Sequence, residues 1–123
     1  MKILIADDAE LLRERIIALL SRLTGIESIF ESHSCASTLH AIDRDQPDLV
    51  LLDLRMPDGS GLDVLRAMHG RKHRPRMLVL TTWSDPDVRQ LCLDAGADDF
   101  FEKSTGFMGA VDAVEAFAAR RLA

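Results

Sequence analysis

The stretch Leu49-Val50-Leu51-Leu52-Asp53 decides the fold. Four consecutive apolar residues are too short for a buried helix and lack the alternation of a half-exposed strand. Such a run reads as a strand covered on both faces, and strands of that kind belong to parallel sheets flanked by helices. The same type recurs on either side. Ile3-Leu4-Ile5-Ala6 stops at the pair Asp7-Asp8, and Met77-Leu78-Val79-Leu80 stops at Thr81-Thr82. Ile26 to His33 is a weaker strand, and Phe100-Phe101 lies in a short last one. Helical spacing fills the intervals. Leu12, Ile16, Leu19, Leu20 and Leu23 form the first stripe, and Ala36 to Asp43 a second helix before Pro47. Leu62, Leu65 and Met68 follow a Ser60 cap with Asp63 at the capping-box position. Val88, Leu91, Cys92 and Ala95 follow a cap at Ser84 or Asp85, with Pro86 in the first turn and Gly96 as the stop. An alanine-rich helix from about Met108 closes the chain, with Arg120 and Arg121 at its carbonyl end. Strand and helix alternate five times, which predicts a doubly wound α/β sheet with right-handed crossovers. Residues 1–123 are expected to form one domain.

Composition agrees with that expectation. The chain has 123 residues, 47% hydrophobic and 28% charged, which excludes disorder and collagen-like repeats. Fifteen basic residues against 20 acidic ones give a net charge of −5. A net-negative surface repels phosphate backbones and anionic lipid, so no nucleic acid and no membrane is expected as the main partner. Cys35 and Cys92 make no disulfide framework and no CxxC motif, and are expected as free thiols of a reducing compartment. No run approaches the ~20 apolar residues needed to span a bilayer. The first apolar run ends at Asp7, short of a signal-peptide core. A cytoplasmic, soluble protein is the expectation.

Doubly wound sheets bind ligands beyond the carboxyl ends of their strands. There stand Asp7 and Asp8 after the first strand, Asp53 after the third, Thr81 and Thr82 after the fourth, and Lys103 after the fifth. Three crowded carboxylates repel one another and call for a cation. Oxygen ligands without His or Cys favour Mg²⁺ or Mn²⁺. A divalent ion beside a carboxylate, a lysine and a hydroxyl suits phosphoryl transfer, with one carboxylate as the nucleophile.

The same residues resemble the receiver (CheY-like) domain of two-component response regulators. The resemblance rests on four elements in order. These are Asp7-Asp8, the stretch Asp53-Leu54-Arg55-Met56-Pro57-Asp58-Gly59-Ser60-Gly61, Thr81, and Gly96-Ala97-Asp98 leading to Phe100 and Lys103. It implies a flavodoxin-like (βα)5 three-layer sandwich with strand order 2-1-3-4-5. It implies Asp53 as the phosphorylated residue. Asp8 would bind Mg²⁺ directly and Asp7 mostly through water, with Asp53 and the backbone carbonyl of Arg55 completing the metal set. Thr81 and Lys103 would bind the phosphoryl group, and Phe100 would be the aromatic switch. The donor would be a sensor histidine kinase or phosphotransfer protein. The face of helix four, strand five and helix five would be read by a downstream protein partner or output domain, with a phosphorylation-dependent dimer as one outcome. The domain would be no enzyme, but a switch assisting its own phosphorylation and dephosphorylation. A stand-alone regulator and a piece of a longer one both stay open.

Two departures from the family pattern stand out. Ser104 replaces the usual proline after the lysine, so either a trans loop or a strained cis bond aims Lys103. Thr82 replaces the usual Ala or Gly, and its bulk predicts slow loss of phosphate from Asp53. Arg55 and Trp83 flank the site, where a cation–π contact is weighed.

Competing readings are weaker. A haloacid-dehalogenase-type phosphatase wants an acid two residues after its nucleophile, where Arg55 stands. A flavin module would suffer repulsion from Asp7-Asp8. His69 and His73 have helical i,i+4 spacing but lack a third ligand, and Arg71-Lys72-His73-Arg74 reads as a solvated loop.

Overall fold

The computed structural model describes residues 1–83 and 85–122. Five parallel strands make the sheet: β1 (Lys2–Ala6), β2 (Ser28–Ser32), β3 (Leu49–Leu52), β4 (Arg76–Thr81) and β5 (Asp99–Glu102). Their order is β2-β1-β3-β4-β5, as expected. Five helices alternate with them: α1 (Glu10–Leu20), α2 (Cys35–Asp45), α3 (Gly61–Met68), α4 (Pro86–Asp94) and α5 (Phe107–Leu122).

Alternation along each strand sends side chains to two separate cores. Leu4, Val50, Leu52, Met77 and Val79 pack against Ile42 of α2, Leu65 of α3 and Cys92 of α4. Ile3, Ile5, Leu49, Leu51, Leu78 and Leu80 pack against Ile16 and Leu20 of α1 and Val111 and Val114 of α5. The central strands therefore carry continuous apolar runs because both of their faces are covered. β1 lies between β2 and β3, in register Ile3 with Ile29 and with Leu49. The chain leaves β1 toward one edge for β2, then returns past it for β3, β4 and β5. That reversal opens the crevice at the carboxyl ends of β1 and β3.

Element ends differ from the expectation in physically simple ways. β2 is shorter than Ile26–His33; as an edge strand it pairs only with β1, and Ile26 precedes the ladder. α1 ends at Leu20, and Leu23 packs from the turn that follows. α2 begins at Cys35, because Ser34 and Ser37 form a reciprocal capping box ahead of it. It runs on to Asp45, where Gln46 turns left-handed at φ 49°. Ser60 and Asp63 form the expected capping box of α3. Ser84 lies outside the described residues; Asp85 caps α4, its carboxylate accepting from Asp87 N–H at 2.8 Å. Leu91 points outward, 48% exposed, while Val88 and Cys92 carry the buried stripe of α4. Gly96 ends that helix at φ 107°: its N–H reaches the Leu93 carbonyl and Ala97 N–H reaches that of Cys92. α5 starts at Phe107 rather than Met108. Cys35 and Cys92 are free and buried. No described helix is long and apolar enough to cross a membrane.

Candidate functional site

The three strand-end acids meet. Ala6 and Leu52 are paired in the ladder, so the next residues of β1 and β3 leave the sheet side by side. Asp53 N–H continues the pairing by donating to the Ala6 carbonyl at 2.9 Å, and Asp7 N–H donates to the Ser32 carbonyl at 3.1 Å. Asp7 and Asp53 are 3% and 4% exposed, whereas Asp8 faces solvent. Carboxylate oxygens of Asp7, Asp8 and Asp53 lie within 4.8 Å of one another.

Lys103 reaches the same point from the far side of β4. Its backbone N–H extends the β4–β5 pairing to the Thr81 carbonyl at 2.8 Å. Its ammonium then bridges Asp7 Oδ2 at 2.7 Å and Asp53 Oδ2 at 3.0 Å. No described peptide bond is cis, so a trans loop aims the lysine despite Ser104. Glu102 ties that loop together. Its carboxylate accepts from Ser104 Oγ at 2.7 Å, and its carbonyl accepts from Gly106 N–H at 2.7 Å.

Electrostatics at the nest are unbalanced: three carboxylates face one ammonium. Burial raises the Asp7 carboxyl above the ordinary range and the Asp53 charge adds to it; Lys103 and the Ala9 N–H oppose this without cancelling it. Burial alone would depress the Lys103 ammonium, but Asp7 and Asp53 outweigh it and hold its pKa above the usual lysine value. The donor set is all oxygen, which fits a hard divalent cation and no soft one. Among the described residues, these three aspartates form the one grouping of three or more metal-capable side chains; His69 and His73 do not join one.

The other expected site residues occupy the rim. Thr81 is fully buried, and its Oγ1 accepts from Trp83 N–H at 3.3 Å. Arg55 N–H points at Asp53 Oδ1 at 3.4 Å, which sets its backbone beside the nest. Thr82 is exposed next to Thr81. Phe100 is buried, with the Arg89 guanidinium 5.8 Å from its ring centre and donating to its carbonyl at 3.3 Å. The Arg55–Trp83 contact is not formed among the described residues. Both side chains stay hydrated at the surface, where such a contact gains little.

Sequence reasoning passed over two supports. Arg13 of α1 donates to the Asp7 carbonyl at 2.6 Å and to Glu31 at 3.2 Å, holding the turn that carries the acidic pair. Gly61 opens α3 directly against the Asp53 backbone: a Cβ there would stand 2.5 Å from the Asp53 carbonyl oxygen. Arg13 carries no local signal, since one partner is a backbone atom and the other, Glu31, lies 18 residues away. Gly61 could have been suspected, as glycine in a first helical turn often marks a close approach.

Comparison with known proteins points to one family. A family model described as the response regulator receiver domain matches residues 3–115. The transcriptional regulatory protein KdpE of Mycobacterium tuberculosis is 38% identical over 104 residues, covering 85% of this chain and 44% of that protein. The DNA-binding transcriptional activator DevR/DosR of the same species is 28% identical over 121 residues, covering 98% of this chain and 56% of that protein. The chain thus spans about half the length of these relatives. Among solved structures, the signal receiver domain of NarL from M. tuberculosis superposes with a TM-score of 0.85 at 29% identity, covering 96% of this chain and 95% of the other.

Proposed function

Since this chain belongs to the response regulator receiver family, we propose that residues 1–123 form one receiver domain that accepts a phosphoryl group on Asp53. The donor is a sensor histidine kinase or phosphotransfer protein in the cytoplasm. One Asp53 carboxylate oxygen attacks phosphorus, an acyl phosphate P–O bond forms, and the P–N bond to the donor imidazole breaks. The electron pair returns to the ring nitrogen, which takes up a proton. The protein transduces a signal by this transfer rather than turning over a substrate.

The observation that carries the reading is the Lys103 ammonium held between Asp7 and Asp53 across the sheet. Fixed there, it needs no rearrangement to meet charge developing on the phosphoryl oxygens. Asp7, Asp8 and Asp53 and the Arg55 carbonyl would hold Mg²⁺, or Mn²⁺ in its place, which supplies the remaining positive charge. Thr81 has a hydroxyl proton to offer; turning it from the Trp83 side toward the phosphoryl group couples the site to Phe100 and Arg89. Through them the change reaches the face of α4, β5 and α5, which a downstream protein or output domain reads and through which a phosphorylated dimer forms. The phosphatase reading needs a proton donor where Arg55 stands, and an exposed guanidinium supplies none.

Mass spectrometry after incubation with acetyl phosphate and Mg²⁺ tests the proposal. One phosphoryl group is expected on the native chain and none on Asp53→Asn. Equal labelling of both proteins overturns it.

A further inference from the structure

At the opposite edge of the sheet the sign of the charge reverses. A cavity of about 530 Å³ lies where β3 and β4 begin, between the end of α2, the 71–75 loop and the last turns of α5. It is within the size range of small-ligand sites. Arg71, Lys72, Arg74, Arg76 and Arg121 line it, together with His73, against two acids, Asp48 and Asp98. Five fixed cations against two anions stand out in a chain whose net charge is −5.

The two acids are already committed to structural partners. Asp48 accepts from Lys2 N–H at 2.7 Å and pairs with Arg121 at 3.1 Å. Asp98 accepts from Met77 N–H at 2.8 Å and pairs with Arg74 at 3.2 Å. Arg71 pairs outward with Asp43. Among the described residues, Lys72 and Arg76 have no carboxylate partner. Arg76 is half-buried with its guanidinium 5.2 Å from the centre of the Phe117 ring, and Arg120 and Arg121 crowd the same ring at 5.6 and 5.9 Å. Of these, Arg76 is the half-buried one, and it lies against the ring rather than a carboxylate, so its charge stays available to an entering anion, with Lys72 adding a second from the exposed loop. Planar guanidinium forks match phosphate oxygens two at a time, and a concave site of this size selects a compact anion over an extended chain.

We propose that this basic cavity binds a small, multiply charged phosphate anion, of the pyrophosphate or nucleoside diphosphate class. The Arg76–Thr81 strand separates it from the acidic nest by about five residues, roughly 16 Å at the usual rise per residue. Binding there is therefore separate from phosphorylation of Asp53.

An ¹H–¹⁵N NMR titration of the whole chain with inorganic pyrophosphate, in Mg²⁺-free buffer, tests the assignment. Saturable shifts are expected at residues 71–76 and 117–121, with a Kd that weakens as salt is added. Lys72→Glu, an exposed loop change, should weaken binding about tenfold while leaving acetyl phosphate labelling of Asp53 intact. Arg76→Gln should weaken binding at least as much. ADP in a parallel titration separates the sources: tighter binding than pyrophosphate identifies a nucleotide, equal or weaker binding a free polyphosphate. No saturable shift, shifts confined to the neighbourhood of Asp53, an unchanged Kd in Lys72→Glu, or binding of a poly-glutamate peptide with pyrophosphate inert would each overturn the proposal.

Discussion

Gly61 shows how little room surrounds the backbone of Asp53. A methyl group added there meets the Asp53 carbonyl at 2.5 Å and the Leu54 Cα at 3.1 Å, both backbone atoms without a rotamer to give way. Gly61→Ala should cost about 1–3 kcal/mol of stability, as overpacking does. The strain falls on the peptide that aims Asp53, so labelling by acetyl phosphate should slow even below the melting temperature. A variant with native labelling rate and native denaturant midpoint would show that the loop relaxes freely. Thr82 bears on the proposed reaction from the other rim. Its side chain is exposed beside Thr81, and in the proposed phosphorylated form its bulk would stand against water approaching Asp53. Thr82→Ala opens that approach, and the phosphorylated form should lose its label severalfold faster, as followed by the decay of the phosphorylated mass. An unchanged lifetime would mean that Thr82 shields nothing.

At the scale of elements, the most informative case is the start of α2. Ser34 caps it locally, but its first two N–H groups go to a residue far away in sequence. Asp58 accepts from Cys35 N–H at 2.7 Å and from Ala36 N–H at 3.0 Å. Those two donors hold the Asp58 carboxyl below its ordinary value. A depressed carboxyl stabilises the fold above its unfolded pKa and loses that contribution as pH falls through the folded one. Asp58→Asn should therefore melt at a lower temperature than the native chain at pH 7, and the gap should close as the pH drops below 3.8. A gap that persists undiminished at pH 3 would assign the effect to shape rather than charge. The stretch from Asp53 to Gly61 reads as a motif in which Asp53 has an evident place, as does Asp63 just beyond it, while nothing local shows the role of Asp58. Local patterns report contacts within a turn or two: the Ser60–Asp63 box, Pro86 and Gly96 were legible because their partners are three or four residues away. The Asp58 cap, the Arg13 clamp and the early end of β2 depend on what lies alongside in space. β3 and the Met77–Leu80 run of β4 escaped that difficulty because burial on both faces writes itself into each of their residues.

For the molecule as a whole, the sheet works as a charge-separating plate. Its carboxyl edge gathers Asp7, Asp8 and Asp53 around one lysine, and its amino edge gathers arginines around Phe117. The family's ordered residues made the acidic edge legible in the chain; the basic edge looked like an ordinary solvated loop because Phe117 and Arg121 arrive from α5, far along the sequence. The uncompensated acidic edge has a thermodynamic consequence. A cation that binds the folded nest and not the unfolded chain stabilises the fold by RT ln(1 + [L]/Kd), about 1.4 kcal/mol at ten times its Kd. For a domain of this size that raises the melting temperature by roughly 5 °C. Millimolar MgCl₂ should produce such a rise in calorimetry, while KCl of equal ionic strength should not, because the gain comes from coordination rather than screening. Asp8→Ala should keep its fold, since Asp8 is exposed, and should lose most of the Mg²⁺ response. Equal shifts with both salts would mean that Lys103 alone neutralises the nest and that its three carboxylates hold no ion, and a full response in Asp8→Ala would remove Asp8 from the set that binds one.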